Sequence, residues 1–293
     1  MLGAANIARR AVLGAIAATG NGRIVALASR SPERGRQLLA PYPEARVLST
    51  YEELLADPEV DAVYNPLPNS LHKEWTIRAL EAGKHVLCEK PIAVNAREAE
   101  EMAAAAERTR KHLMEAFMYR FHPGMRQFVD GLSDPLHVQA VFGFAARDPN
   151  DIRLQAAMGG GALLDVGSYT VSVSRWILGE PAEVDGSGRF DNGIDVSITG
   201  LLSFPGGATA AVWASVQSPE VQDLKVITRS GVAQRSTPFS AYKDPHDPYQ
   251  LMVESFGRSV IDNSSVELPL TESIANMRAL DRIRAAATSL PAA

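Results

Sequence analysis

Over its first 117 residues the chain alternates short apolar runs with amphipathic stretches, and this alternation leaves it few possible folds. The runs 23–28, 45–48, 62–65, 85–88 and 113–116 read as strands. Residues 8–19, 32–40, 51–56, 71–82 and 96–109 read as the helices between them. A strand that is apolar on both faces needs cover on both, and parallel strands need a crossover, which an amphipathic helix supplies. Right-handed repeats of that unit give a doubly wound, parallel sheet. Ligands bind such a sheet outside the carboxyl ends of its strands, so the loops after each strand carry the chemistry.

Beyond residue 118 the pattern changes. A helix at 124–131 precedes runs rich in β-formers at 136–145, 182–190, 195–203, 209–217 and 223–228. Asp191-Asn192-Gly193 and Pro205-Gly206-Gly207 are hairpin chemistry. The expected α/β chain has a doubly wound domain over 1–117 and an α+β domain over 118–293. The second is built on a large, mostly antiparallel sheet, leaving the last helix free to pack back on the first domain. A length of 293 residues accommodates two domains.

The net charge of -5 gives no basic footprint for nucleic acid or an anionic membrane. No run approaches the roughly 20 apolar residues of a membrane span, and residues 1–18 lack a compact signal-peptide core. The single cysteine, Cys88, excludes an internal disulfide and suits a reducing cytoplasm. The 6 histidines show no ligand spacing, so no metal site is expected.

Four strand ends draw attention. Gly3-Ala4-Ala5-Asn6-Ile7-Ala8 matches G-x-G-x-x-A, with Ala5 at the second glycine position. Such a turn brings free N–H groups at a helix start toward a pyrophosphate, although an ordinary Gly/Ala-rich helix start reads the same way. Only Met1-Leu2 precede Gly3. The first strand is therefore expected to be a stub, or to be supplied by residues ahead of Met1, and cofactor affinity depends on which. The next strand ends in Ser29-Arg30-Ser31, with no acid for a ribose 2′-hydroxyl. Ser29, Arg30 and Ser31 suit a 2′-phosphate, with Arg30 as the bidentate partner. Ser31-Pro32 is also an ordinary helix start, and both readings can hold together.

The third strand runs into Asn65-Pro66-Leu67-Pro68-Asn69-Ser70-Leu71-His72, a candidate cofactor wall that two prolines hold extended. The fourth ends in Cys88-Glu89-Lys90-Pro91, where proline biases Lys90 toward extended backbone. Taken alone, Lys90 reads as a solvated loop lysine. It gains meaning from the second half, where Gly159-Gly160-Gly161-Ala162-Leu163-Leu164-Asp165-Val166-Gly167-Ser168-Tyr169 opens a helical pattern ending near Gly179. Asp165 and Tyr169 are four apart and would share a face. Tyr169 is either core packing or a general acid/base brought toward neutrality by a lysine ammonium, with Lys90 as candidate.

Taken together, Cys88-Glu89-Lys90-Pro91 and the 159–169 segment resemble the Gfo/Idh/MocA oxidoreductase family. So do Leu113-Met114-Glu115-Ala116-Phe117-Met118-Tyr119-Arg120-Phe121-His122-Pro123 and Asp148-Pro149-Asn150-Asp151-Ile152-Arg153. Tyrosine at position 169, where many members have histidine, resembles the branch of NADP-linked D-xylose 1-dehydrogenase, trans-dihydrodiol dehydrogenase and glucose–fructose oxidoreductase. The resemblance implies a Rossmann domain with a truncated first strand, followed by a substrate-binding and oligomerisation domain. It implies Lys90, Asp165 and Tyr169 as catalytic residues. Gly3, Ala5, Asn6, Ile7, Ser29, Arg30, Asn65, Leu67, Asn69, His72, Glu89 and Lys90 would surround the dinucleotide, and Arg120 and Arg153 would neighbour the substrate. It also implies homodimers or homotetramers formed through the second domain's sheet.

The expected activity is hydride transfer between NADP, favoured over NAD, and a hydroxyl of a sugar, polyol or dihydrodiol. Two alternatives stand beside it: a cofactor-retaining sugar–sugar oxidoreductase, and a non-catalytic dinucleotide-binding or sugar-sensing protein. Loop residues Arg153, Tyr242, His246 and Tyr249 are expected to decide specificity.

Overall fold

A computed structural model describes residues 1–240 and 246–289; Tyr242 lies outside them. The chain separates into two compact units. The first comprises Met1–Ile92, Arg97–Pro123 and Ala241–Ser273; the second comprises Ala93–Ala96, Gly124–Ser240 and Ile274–Ala293.

In chain order the first unit contains α1 (Leu13–Ala18, continuing a wide π-type turn at Ala8–Val12), β1 (Ala26–Ala28), α2 (Pro32–Leu39) and β2 (Arg46–Leu48). Then come α3 (Tyr51–Ala56), β3 (Ala62–Asn65), α4 (His72–Glu81), β4 (His85–Glu89), α5 (Ala96–Thr109) and β5 (Leu113–Ala116). The helices start where capping chemistry allows. The Ser31 hydroxyl accepts from Arg34 N ahead of α2, with Pro32 in its first turn. Thr50 and Glu53 form a reciprocal capping box on α3.

β1 pairs in parallel with β2, and β3-β4-β5 form a second parallel set. Met1-Leu2 joins them. Ala28 N donates to Met1 O at 3.0 Å, Gly3 N to Ala28 O at 2.8 Å, and Leu2 N to Tyr64 O at 3.1 Å. The spatial order is therefore β2, β1, the stub, β3, β4, β5, with the stub at the centre. The strand β1 covers Ala26–Ala28 and not 23–28, and residues 23–25 precede the ladder beside Met1. A cavity of about 770 Å³ lies there, walled by Val25, Ala62 and Val63 and by Val253 and Phe256 of a later helix. The Met1 ammonium donates to Ala26 O at 2.8 Å, and burial lowers its pKa to about 5.

The second unit holds α6 (Pro123–Asp130), β6 (Pro135–Ala145), α7 (Ser168–Leu178), β7 (Glu183–Asp191), β8 (Ile194–Ser203), β9 (Thr209–Ser215), β10 (Gln217–Thr228) and β11 (Gly231–Ser236). The helix α8 (Pro248–Ile261) returns to the first unit, whereas α9 (Leu270–Ala286) lies mostly in the second and runs into β12 (Ala287–Ser289). The sheet order is β11-β10-β6-β9-β8-β7-β12, antiparallel except for the β6/β9 and β7/β12 pairs. β10 begins at Gln217, well before residue 223, because a register shift between Gln217 and Val221 carries Pro219 through the ladder. Strands β11 and β12 are short and polar, so no apolar alternation announced them. The helix α7 covers one face with buried Val171 and Val173, while Leu136, Leu201 and Val232 are exposed.

Candidate active site

In the first unit the candidate cofactor residues fall at the carboxyl ends of the parallel strands. Gly3 turns at φ +73°, which favours glycine, and a Cβ there would stand 3.0 Å from Leu67 Cδ2, close enough that the leucine would have to give way. The chain then passes through half-buried Ala4 and Ala5 into the helix at exposed Asn6, followed by Ile7. β1 delivers buried Ser29, whose hydroxyl accepts from Ser31 N at 3.1 Å, and exposed Arg30, whose guanidinium meets the Tyr51 phenol. Arg34 Nη2 reaches Ala4 O at 3.5 Å, so two guanidinium groups flank the Gly3 turn. A dinucleotide fits this set: a cradle that a side chain would fill, a helix start, and cations with no acid at the end of β1.

Asn65 and His72 serve this wall from beneath. Asn65 is fully buried; its Nδ2 donates to His72 O (3.3 Å) and Thr76 Oγ1 (3.1 Å), and its Oδ1 accepts from Leu67 N (3.3 Å). His72 is also fully buried, with Nδ1 2.8 Å from Pro91 O and Nε2 2.7 Å from Leu67 O. Burial lowers its pKa to about 4 against the pull of the two carbonyls, and the neutral ring, with a single N–H, donates to only one of them. These two side chains shape the wall through backbone, and half-buried Asn69 opens the short turn that follows it. Leu67 itself is 7% exposed, so it is its loop and not its side chain that faces outward.

The turn bearing Lys90 is gripped by buried polar groups. Tyr64 Oη donates to Glu89 Oε1 at 2.6 Å, and Lys90 N donates to Glu89 Oε2 at 3.3 Å. The Lys90–Pro91 peptide is cis. Beyond it, Ile92 N donates to Glu115 Oε1 at 2.9 Å, and Cys88 Sγ contacts Ile92 O at 3.8 Å. Burial pushes the Cys88 thiol up, so it is not a thiolate nucleophile. Arg120, half-buried, sits in a 3-10 turn at Met118–Phe121 after β5.

The second unit builds around the glycine run. Gly160 lies so close to Arg153 O and Gln155 O that a Cβ would fall 2.5 and 2.8 Å from them. Gly161, at φ +115°, faces the Asp195 carboxylate. Asp195 Oδ2 accepts from Leu163 N at 2.5 Å, so an acid from β8 caps the helix that follows. That helix opens with a π-type turn at Leu163–Gly167 before α7, in place of regular helix throughout. Arg153 Nε donates to Asp165 Oδ2 at 2.7 Å and its Nη1 meets Asp151 Oδ1 at 3.3 Å. Tyr169 is 7% exposed, its ring 5.5 Å from those of Phe142 and Phe239.

The structure thus brings Arg153 and Asp165 together, two residues the sequence offered separately. Lys90 and Arg120 belong to the first unit, and Asp165, Tyr169 and Arg153 to the second. Asp195, Glu115, Tyr64, Phe142 and Phe239 were not among the sequence candidates. Only the three consecutive glycines hinted at a close neighbour, without saying that Asp195 was one. Among the described residues, no cluster of His, Cys, Asp and Glu is placed to hold a metal ion. No described helix is long and apolar enough to cross a membrane.

Parallel strands with a glycine turn at their carboxyl edge are the arrangement of a dinucleotide-binding domain, followed in the chain by a sheet domain that carries a buried tyrosine. Residues 1–117 match the model described as oxidoreductase family, NAD-binding Rossmann fold, and residues 125–234 match the GFO/IDH/MocA C-terminal domain. The chain is 34% identical to D-xylose 1-dehydrogenase (NADP(+)) 2 of Haloferax volcanii, covering 97% of this chain and 95% of that one. A 3-ketoreductase from Actinomadura kijaniata, in complex with TDP-benzene and NADP, superposes with TM-score 0.93 at 28% identity, over 99% of this chain and 97% of its own. Aldose-aldose oxidoreductase from Caulobacter crescentus, complexed with glycerol, gives 0.90 at 26% identity, over 97% and 95%. The chain belongs to the Gfo/Idh/MocA oxidoreductase family.

Proposed function

We propose that this protein is an NADP-dependent oxidoreductase acting on a carbinol or carbonyl carbon of a sugar, polyol or dihydrodiol. The observation that carries the reading is Tyr169, a phenol on α7 beside two aromatic rings, one turn beyond the Arg153–Asp165 pair. A bound nicotinamide supplies the two-electron donor or acceptor. Tyr169 Oη takes the proton from the substrate hydroxyl on oxidation, at the anomeric position of a pyranose, and returns it on reduction. Lys90 is the cation that favours the tyrosinate, and Asp165, held by Arg153, orients the substrate's hydroxyls. The NADP relatives and the exposed Arg30, in a Ser29-Arg30-Ser31 segment that contains no acid, support NADP over NAD.

The exposed apolar residues Leu201 and Val232, which the register places on one face of the sheet, mark the surface through which it would form dimers or tetramers. A reducing cytoplasm is the compartment that suits its one buried thiol. A second reading, a sugar–sugar oxidoreductase that retains its cofactor, is favoured by the likeness to the aldose-aldose enzyme. The test is NADP⁺ reduction, and NADPH oxidation, against a panel of aldoses, polyols, dihydrodiols and their carbonyl counterparts. Turnover of one class is expected. Cofactor that co-purifies and cycles only with paired sugars selects the second reading. Tight binding with no turnover in either direction would leave a non-catalytic sensor.

A further inference from the structure

The buried carboxyl of Glu115 has no part in the scheme above, yet its position bears on Lys90. Glu115 lies on β5, opposite Cys88 in the parallel ladder, and is 1% exposed. Its Oε1 accepts the Ile92 amide at 2.9 Å, two residues beyond Lys90. The same turn is held at Lys90 N by Glu89, at Pro91 O by His72 and at Ile92 O by the Cys88 thiol. Among these holds, Glu115 is a fully buried carboxyl that burial pushes up to about 7.

We propose that Glu115 is a positioning residue whose ionisation tightens the turn carrying Lys90. The inference rests on the catalytic role given to Lys90 above. As a carboxylate, Glu115 makes a charge-assisted bond to Ile92 N–H and adds a negative charge within reach of Lys90. As an acid it does neither as well. The groups facing it are Cys88, Glu89 and Lys90 from β4 and the turn after it, and the Ser273 hydroxyl from the start of α9. Burial pushes the Glu115 carboxyl up to about 7, with Glu89 adding to the rise; Ser273, Ile92 N–H and Lys90 pull it down. Glu89 accepts from the Tyr64 phenol and from Lys90 N.

The direction follows. As pH falls through about 7, Glu115 takes up a proton, the hold on Ile92 weakens, and kcat/KM declines. The experiment compares the full-length protein with Glu115→Gln, which keeps an oxygen for Ile92 N–H but cannot ionise, and with Glu115→Asp, which keeps the charge but shortens the reach. Wild type should show an inflection in kcat/KM near pH 7 that Glu115→Gln lacks. That variant should lose about tenfold in kcat at alkaline pH with the KM for NADP within about twofold. Glu115→Asp should recover an inflection. An unchanged profile in Glu115→Gln would overturn the inference.

Isotope-edited infrared spectroscopy and amide exchange at Ile92 provide readouts that need no turnover. A buried carboxylic acid band should vanish as pH rises through about 7, and Ile92 should become better protected over the same range in wild type alone. A Glu115 that stays ionised from about pH 5 to 9 overturns the inference even if catalysis is robust. Titration and protection as expected in a protein without turnover would support the hold on the turn, while removing the catalytic reading instead.

Discussion

The Asp195 carboxylate occupies the space that a side chain at Gly161 would need, and its Oδ2 caps the helix at Leu163 N from 2.5 Å. One acid thus explains both the glycine and the start of the segment that carries Asp165 and Tyr169. Gly161→Ala adds a methyl against that carboxylate and strains a residue at φ +115°. It should cost about 2–4 kcal/mol of stability, read as a lowered midpoint in urea unfolding. A loss below about 0.5 kcal/mol would mean that Asp195 moves aside freely.

Tyr169→Phe keeps the ring against Phe142 and Phe239 and removes only the hydroxyl. The expected result is a fall in kcat of about 10²–10⁴ with NADP(H) affinity nearly unchanged. Steady-state kinetics beside equilibrium cofactor titration separates the two. A fully active variant would take proton transfer away from Tyr169.

Arg30 is exposed at the end of β1 with the Tyr51 phenol beside it. Arg30→Ala should weaken NADPH binding about tenfold or more and NADH binding less than about twofold, since only NADPH carries the 2′-phosphate. Fluorescence titration of both cofactors measures it. Equal losses would place Arg30 elsewhere than at that phosphate.

Leu2 is fully buried and links two parallel sets of strands through the hydrogen bonds of its neighbours. Leu2→Ala leaves those backbone bonds intact but opens a hole in the middle of the sheet. A cost of about 2–5 kcal/mol is expected, measured by thermal or chemical unfolding.

Glu115 and His72 tilt the pH dependence of stability in opposite directions. Burial raises Glu115 from 4.5 to about 7, so its contribution is fully present below pH 4.5 and is lost as pH rises through about 7. Burial depresses His72 from 6.5 to about 4, so its contribution is present above pH 6.5 and is lost as pH falls through about 4. Glu115→Gln removes the first effect alone. Relative to wild type, that variant should gain on the order of 1–3 kcal/mol between acid and alkaline conditions, followed by chemical denaturation across pH.

Much of the architecture was legible in the chain itself. Strands β3 and β5 and helices α3 and α5 fall where apolar runs and caps place them, because local periodicity and capping depend on residues a few positions apart. The strands β11 and β12, and the length of β10, were not legible, because their pairing comes from partners far along the chain. The candidate residues were legible as types at strand ends, but their partners were not.

The doubly wound first domain, the sheet-rich second one and the few titratable and cationic residues able to do chemistry can all be read from the order of residues alone. Those follow from the period of apolar residues and from turn composition, which any local segment carries. Folding in three dimensions is what sets Met1-Leu2 at the centre of the parallel strands, turns Asp195 toward Gly161 and pairs Arg153 with Asp165. It alone decided that Glu115 holds the turn beyond Lys90. Each is a contact between residues distant in sequence, and burial, which raises one acid and neutralises one histidine, exists only once the chain has closed around them.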